Sequence, residues 1–189
     1  MSNTIDRPTL KDGHITLRAP KVTDAAARFK LGNTAEIHHM FGADPAGVAP
    51  ITKAHATAWL YAQQTEPLAW IIQYRRRMIG ALRLHSLDHH DRRASLAIGI
   101  LDPKLLGKGI GTRAMRLIVS HAFGSLGLHR LVLRVVDYNT RAIAACQKLG
   151  FVIEGREREA ARVGAVWHDD VIMGLLAADF LLKRELADV

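Results

Sequence analysis

The chain has 189 residues, a formal net charge of +8 and a single cysteine. That length suits one domain, residues 1–189, with a sizeable core, and one thiol excludes an internal disulfide or a multi-cysteine metal site. No apolar run approaches the ~20 residues that span a bilayer. The opening residues 1–7 carry no signal-peptide core, so the expected setting is cytoplasmic with no membrane partner. The positive charge favours anionic ligands. The basic residues are dispersed, however, and the densest run, Arg75-Arg76-Arg77, reads as a solvated turn. Interleaved aromatics of the kind that bind single strands are missing, so no nucleic acid is expected.

In chain order, residues 14–18 alternate as a strand. Thr23-Asp24 starts a helix whose apolar residues include Ala27, Phe29 and Leu31, and a short second helix carries Ala35, Ile37, Met40 and Phe41. Residues 42–50 form a Gly- and Pro-rich loop. Thr52 caps a third helix through Trp59 and Tyr61. Residues 68–74 and 78–87 form a hairpin around the three arginines, and Asp88-His89-His90-Asp91 is a turn. The adjacent histidines there diverge and lack helical ligand spacing, so no metal is expected. Residues 93–101 are a central strand, ended by Asp102-Pro103. A helix over 112–126, a strand over 130–136 and a helix behind Asn139 follow. A final hairpin, 151–161 with 165–176, leads to a closing helix over 178–186. Strands grouped around two helices imply an α+β fold (α/β in looser terms) with a mixed sheet.

Two segments carry chemistry. The first is Leu106-Gly107-Lys108-Gly109-Ile110-Gly111-Thr112, between the central strand and the next helix. Glycines there let the backbone approach a ligand, and the amides of a helix start face an anion such as a pyrophosphate. The spacing is neither that of a dinucleotide fold nor that of a nucleoside triphosphatase loop. The second runs from Asp137-Tyr138-Asn139-Thr140 to Cys146-Gln147-Lys148-Leu149-Gly150-Phe151. Asn139 or Thr140 caps this helix, Ile143, Cys146 and Leu149 share a face, and Gly150 stops it.

Together these segments resemble the GNAT N-acetyltransferase superfamily, in its acetyl-CoA pyrophosphate loop and its N-x-x-A-x-x-x-Y-x-x-x-G-F helix. Ile15-Thr16-Leu17-Arg18-Ala19-Pro20 and Trp167-His168-Asp169-Asp170 are similar to the branch holding ribosomal-protein N-terminal and spermidine acetyltransferases. The resemblance implies a mostly antiparallel central sheet flanked by helices, a possible homodimer, and direct transfer of an acetyl group from acetyl-CoA to a primary amine. It implies a pyrophosphate on Gly107, Lys108, Gly109, Ile110, Gly111 and Thr112. It also implies pantetheine along Ile98, Gly99, Ile100 and Leu101, where backbone amides polarise the thioester carbonyl, and Asn139 beside the cofactor.

The chain departs from the pattern twice. Leu106 stands where the family has Arg or Gln, which removes one phosphate-facing side chain. Cys146 stands where the family has the Tyr that protonates the leaving thiolate. A thiol of pKa about 8.5 has a proton to give, but it is shorter than Tyr, and packing as a small hydrophobe is its other reading. Candidate bases are His85, Ser95, Glu157, His168 and Asp169, with His85 preferred because its pKa suits the task. Loop 42–50 and the helix before Trp59 are expected to shape the acceptor site, where Glu36 and Asp44 are the only nearby acids. The acceptor is a peptide N-terminus or a small amine. The rival reading is a non-catalytic acyl-CoA-binding module, supported by Cys146.

Overall fold

The computed structural model describes residues 7–187; the first six residues, part of the segment read as lacking a signal core, lie outside them. A short hairpin opens the chain, β1 (Leu10–Asp12) with β2 (Ile15–Arg18). The helices α1 (Asp24–Leu31), α2 (Ala35–Met40) and α3 (Lys53–Thr65) follow. Thr34 and Thr52 cap α2 and α3 by accepting from the amides of Ile37 and His55. Strands β3 (Ala69–Tyr74) and β4 (Arg77–Asp88) form the arginine-tipped hairpin, with Arg75 and Arg76 both at positive φ. Those conformations fit the two-residue turns whose twist matches that of the strands.

Strand β5 (Arg93–Ile100) leads through the glycine loop into α4 (Ile110–Gly124), then β6 (Arg130–Val136) and α5 (Thr140–Leu149). The long hairpin of β7 (Val152–Val163) and β8 (Val166–Leu176) and the helix α6 (Ala177–Ala187) finish the fold. The sheet order is β1-β2-β3-β4-β5-β6-β8-β7. Every neighbouring pair is antiparallel except β5 and β6. Those two are parallel because the crossover through α4 returns the chain in the same direction. This is the expected mixed, mostly antiparallel sheet with helical flanks.

The core lies between one sheet face and α4. Ile15, Leu17, Trp70, Ile72, Leu82, Leu84, Leu131, Met173 and Leu175 are buried there with Ala114, Ile118 and Val119 of α4. The Trp70 indole donates to the Pro8 carbonyl at 3.0 Å, which satisfies its one buried polar atom. Arg113 reaches back from α4 to Asp12 through two hydrogen bonds to its carboxylate, of 2.7 and 2.6 Å, and a third to its carbonyl at 3.2 Å.

Helix α1 starts at Asp24 behind Thr23, as expected. Its buried residues are Asp24 and Arg28, four apart on one face, whereas Phe29 is exposed. Arg18 makes a bidentate pair with Asp24, at 2.8 and 2.6 Å, and so accounts for the buried acid. The short β1 has no counterpart among the expected elements; three residues are too few for alternation to register.

Candidate active site

The parallel pairing of β5 with β6 covers only Arg93 with Arg130, Ala94 with Leu131 and Ser95 with Val132. Beyond Ser95 no β6 partner continues the register. On its other edge β5 stays paired with β4 as far as Ile100. The β6-facing edge at residues 96–100 is therefore open to an extended ligand, which can add to it as a strand adds to a sheet.

A cavity of ≈ 300 Å³ fills this opening. Ile98, Ile100 and Met115 line it from the α4 side, and Ile37, Met40 and Phe41 from the α2 side. Gly107, Gly109, Ile110, Gly111 and Thr112 close one end. Gly109 is the N-cap of α4 with φ +72, a left-handed conformation that favours glycine. The amides at 110–112, in the first turn of α4, lack intrahelical acceptors, and the helix dipole adds partial positive charge at that point. Ala142, Ala144 and Ala145 present a small-residue surface from α5, flanked by Arg141 and Lys148. Among the described residues the lining contains no acid, and Arg141 also reaches Glu36 at 3.4 Å. Loop amides, two cations and an open strand edge fit a pyrophosphate joined to an extended amide-bearing arm.

Most residues anticipated for the cofactor converge on this cleft. Ile98, Gly99, Ile100, Gly107, Gly109, Ile110, Gly111, Thr112 and Asn139 line it, and so does Leu106. Lys108 is exposed outside it. Leu101 lines a neighbouring cavity instead, with its amide bonded to the Ile79 carbonyl at 2.7 Å. Arg141 and Lys148 were not anticipated. Their seven-residue spacing on one helix face is a signal the sequence contains.

Asn139 has two tasks. Its Oδ1 accepts from the Ala142 amide at 3.2 Å and caps α5, while its Nδ2 donates to the Met40 carbonyl at 3.0 Å. Tyr138 donates to the His39 carbonyl at 2.6 Å and stacks on the His39 ring with centroids 4.3 Å apart. These adjacent residues pin the end of α2 over the cleft.

Cys146 lies on the inner face of α5 in the main core, 3% exposed and outside the cleft lining. Burial pushes its thiol up to about 12. His85 pairs in register with Ser95, so alternation puts it on the same sheet face as Ala97 and Gly99. Gly99 lies four residues from Ser95, about 13 Å at strand spacing. Burial and then the Arg83 charge lower the His85 pKa, partly opposed by Glu66, and its Nδ1 lies 3.1 Å from the Ser86 hydroxyl. His168 sits with Nδ1 3.3 Å from Asp137 Oδ1 and its ring edge against Tyr138. Asp169 accepts from the Glu159 amide at 3.0 Å, and Glu157 is exposed opposite Asp170.

Residues 14–152 match the family model described as acetyltransferase (GNAT) domain. The chain belongs to the GNAT acetyltransferase family. YdaF of Bacillus subtilis, provisionally named a ribosomal N-acetyltransferase, is 28% identical over 173 residues, 88% of this chain and 93% of that one. Spermidine N(1)-acetyltransferase of Escherichia coli K12 is 31% identical over 106 residues, 56% of each chain. Several curated relatives are thus matched over little more than half their length. The crystal structure of spermidine N-acetyltransferase from Vibrio cholerae, in complex with CoA and spermine, superimposes with a TM-score of 0.75. That match covers 90% of this chain and 99% of the other at 22% identity, a likeness of fold.

Proposed function

We propose that the protein is an acetyl-CoA-dependent N-acetyltransferase that moves the acetyl group directly to a primary amine, a peptide N-terminus or a small amine. The observation that carries this reading is the opening between β5 and β6 with the α4 amides at its end. A pyrophosphate on the 107–112 loop leaves the pantetheine arm to run along residues 97–100 toward the point where the strands part.

In this reading the thioester carbonyl oxygen accepts from β5 backbone amides, which stabilise charge as it develops. The neutral amine attacks the carbonyl carbon, the carbon–sulfur bond breaks, and coenzyme A leaves as thiolate. His85, whose pKa is lowered by burial and then by the Arg83 charge, takes the amine's proton through intervening water. The Cys146 thiol has too high a pKa and too buried a position to protonate the leaving sulfur, so water supplies that proton.

The same features of Cys146 favour a second reading, a module that binds acyl-CoA without turnover. Coenzyme A release from acetyl-CoA decides between them, measured across peptides with free N-termini, amino acids, polyamines and aminated sugars. Turnover on one class establishes the transferase. Binding of acetyl-CoA with silence across the panel supports the module.

A further inference from the structure

Arg28 is a buried cation without a carboxylate partner among the described residues. It is 9% exposed, donates to the Gly32 carbonyl at 2.7 Å and to Asn33 Oδ1 at 2.6 Å, and forms no ion pair among the described residues. Its Nε is fully buried with no hydrogen-bond partner among them. Asn33 is held in its orientation by a bond from its own Nδ2 to the Ala49 carbonyl at 3.0 Å. Neutral acceptors of this kind do not compensate a buried guanidinium, whose desolvation is large unless an anion pairs with it.

Arg28 lines a second cavity of ≈ 170 Å³, whose wall includes Trp59, His38 and Leu101 and, among the described residues, contains no acid. Ile37 and Phe41 belong to this cavity and to the cofactor cleft alike, so the two spaces meet at those side chains. Phe41, part of this wall, also lies against Gly99.

We infer that this cavity is the acceptor's anion subsite, in which Arg28 seats a carboxylate carried by the amine substrate. The inference rests on the acetyltransferase reading and narrows its substrate class to amines that bear a carboxylate, amino acids or their close derivatives. A polyamine is a poor fit, since both cavities present cations and neither presents an acid among the described residues. Guanidinium is suited to the task because its fork matches carboxylate geometry and it stays charged when buried.

The test uses product-like probes on protein saturated with coenzyme A. N-acetylglycine, N-acetyl-β-alanine and N-acetyl-γ-aminobutyrate are titrated by calorimetry beside their primary amides. At least one acid is expected to bind tenfold or more tightly than its amide, and Arg28→Gln is expected to abolish that preference. Equal affinities, tighter binding of the amides, or no binding of any acid at millimolar concentration overturns the proposal. The wild-type comparison stands even if Arg28→Gln fails to fold. Loss of coenzyme A binding itself would strike the acetyltransferase reading, whereas intact coenzyme A binding without acid preference strikes only the subsite.

Discussion

The ring of Phe41 lies over Gly99 so closely that a Cβ on that glycine would come within 2.7 Å of the ring's Cζ. Phe41 follows α2 directly and is 53% exposed, so its ring has room to yield. Gly99→Ala should therefore leave the protein folded, with a stability loss of about 1–3 kcal/mol from overpacking. It should also displace the ring into the cleft and raise the acceptor KM. Adding Phe41→Ala should recover much of the stability loss, because the two changes share one contact. Thermal denaturation of the single and double variants checks this; strict additivity would contradict it.

Gly80 presents the opposite case. A Cβ there would fall 1.9 Å from the Gly99 carbonyl oxygen, which is backbone and has nowhere to go. Gly80→Ala should displace β5 from its register with β4, with a larger loss of stability than Gly99→Ala. Circular dichroism melts of the two variants side by side give the ranking.

Gly109→Val separates folding from binding. Space at this position is open, with nothing within 4 Å of where a Cβ would stand, so the cost is the strain of a left-handed conformation, about 1–2 kcal/mol. Relief of that strain would turn the loop amides away from the anion. Acetyl-CoA affinity should fall at least tenfold while the fold persists, as read by calorimetry. Unchanged affinity would place the pyrophosphate elsewhere.

Cys146→Ala should keep substantial turnover, since the thiol is buried away from the cleft. Burial raises the native thiol from 9.0 to about 12, so ionisation favours the unfolded chain. The thiol's contribution to stability is whole below pH 9 and is lost as pH rises from there toward 12. Wild type should thus lose stability more steeply than Cys146→Ala across that window, by up to ~1.4 kcal/mol per pH unit. Urea denaturation at several alkaline pH values measures the difference.

His85→Gln tests the proposed base. The His85 pKa is lowered, so its neutral form persists to below the usual histidine value. With saturating acceptor, kcat should rise through an apparent pKa below ~6.5. That limb should vanish in His85→Gln and persist in His168→Gln. Persistence of the limb in His85→Gln would remove His85 from the role.

Elements with a strong local signature were legible in the chain. Asn139 and Gly150 bracket α5 as cap and stop, and the glycine loop opens α4 where amides and dipole require it. Helix α1 was legible only as a helix. Its buried face consists of Asp24 and Arg28, and no apolar periodicity announces two inward charges. Leu101 follows Ile100 in sequence yet lines a different cavity, just past the end of β5 with its amide bonded to the Ile79 carbonyl.

The family, the glycine loop, the Asn139 helix and the mixed sheet could all be read from the order of residues, since each rests on contacts between near neighbours or on turn chemistry. Folding in three dimensions was needed to show where β5 leaves β6, that Phe41 covers Gly99, that Cys146 is sealed in the core, and that Arg28 has no counter-charge among the described residues. Those features join residues tens of positions apart through packing, and no local pattern encodes which distant side chain will arrive.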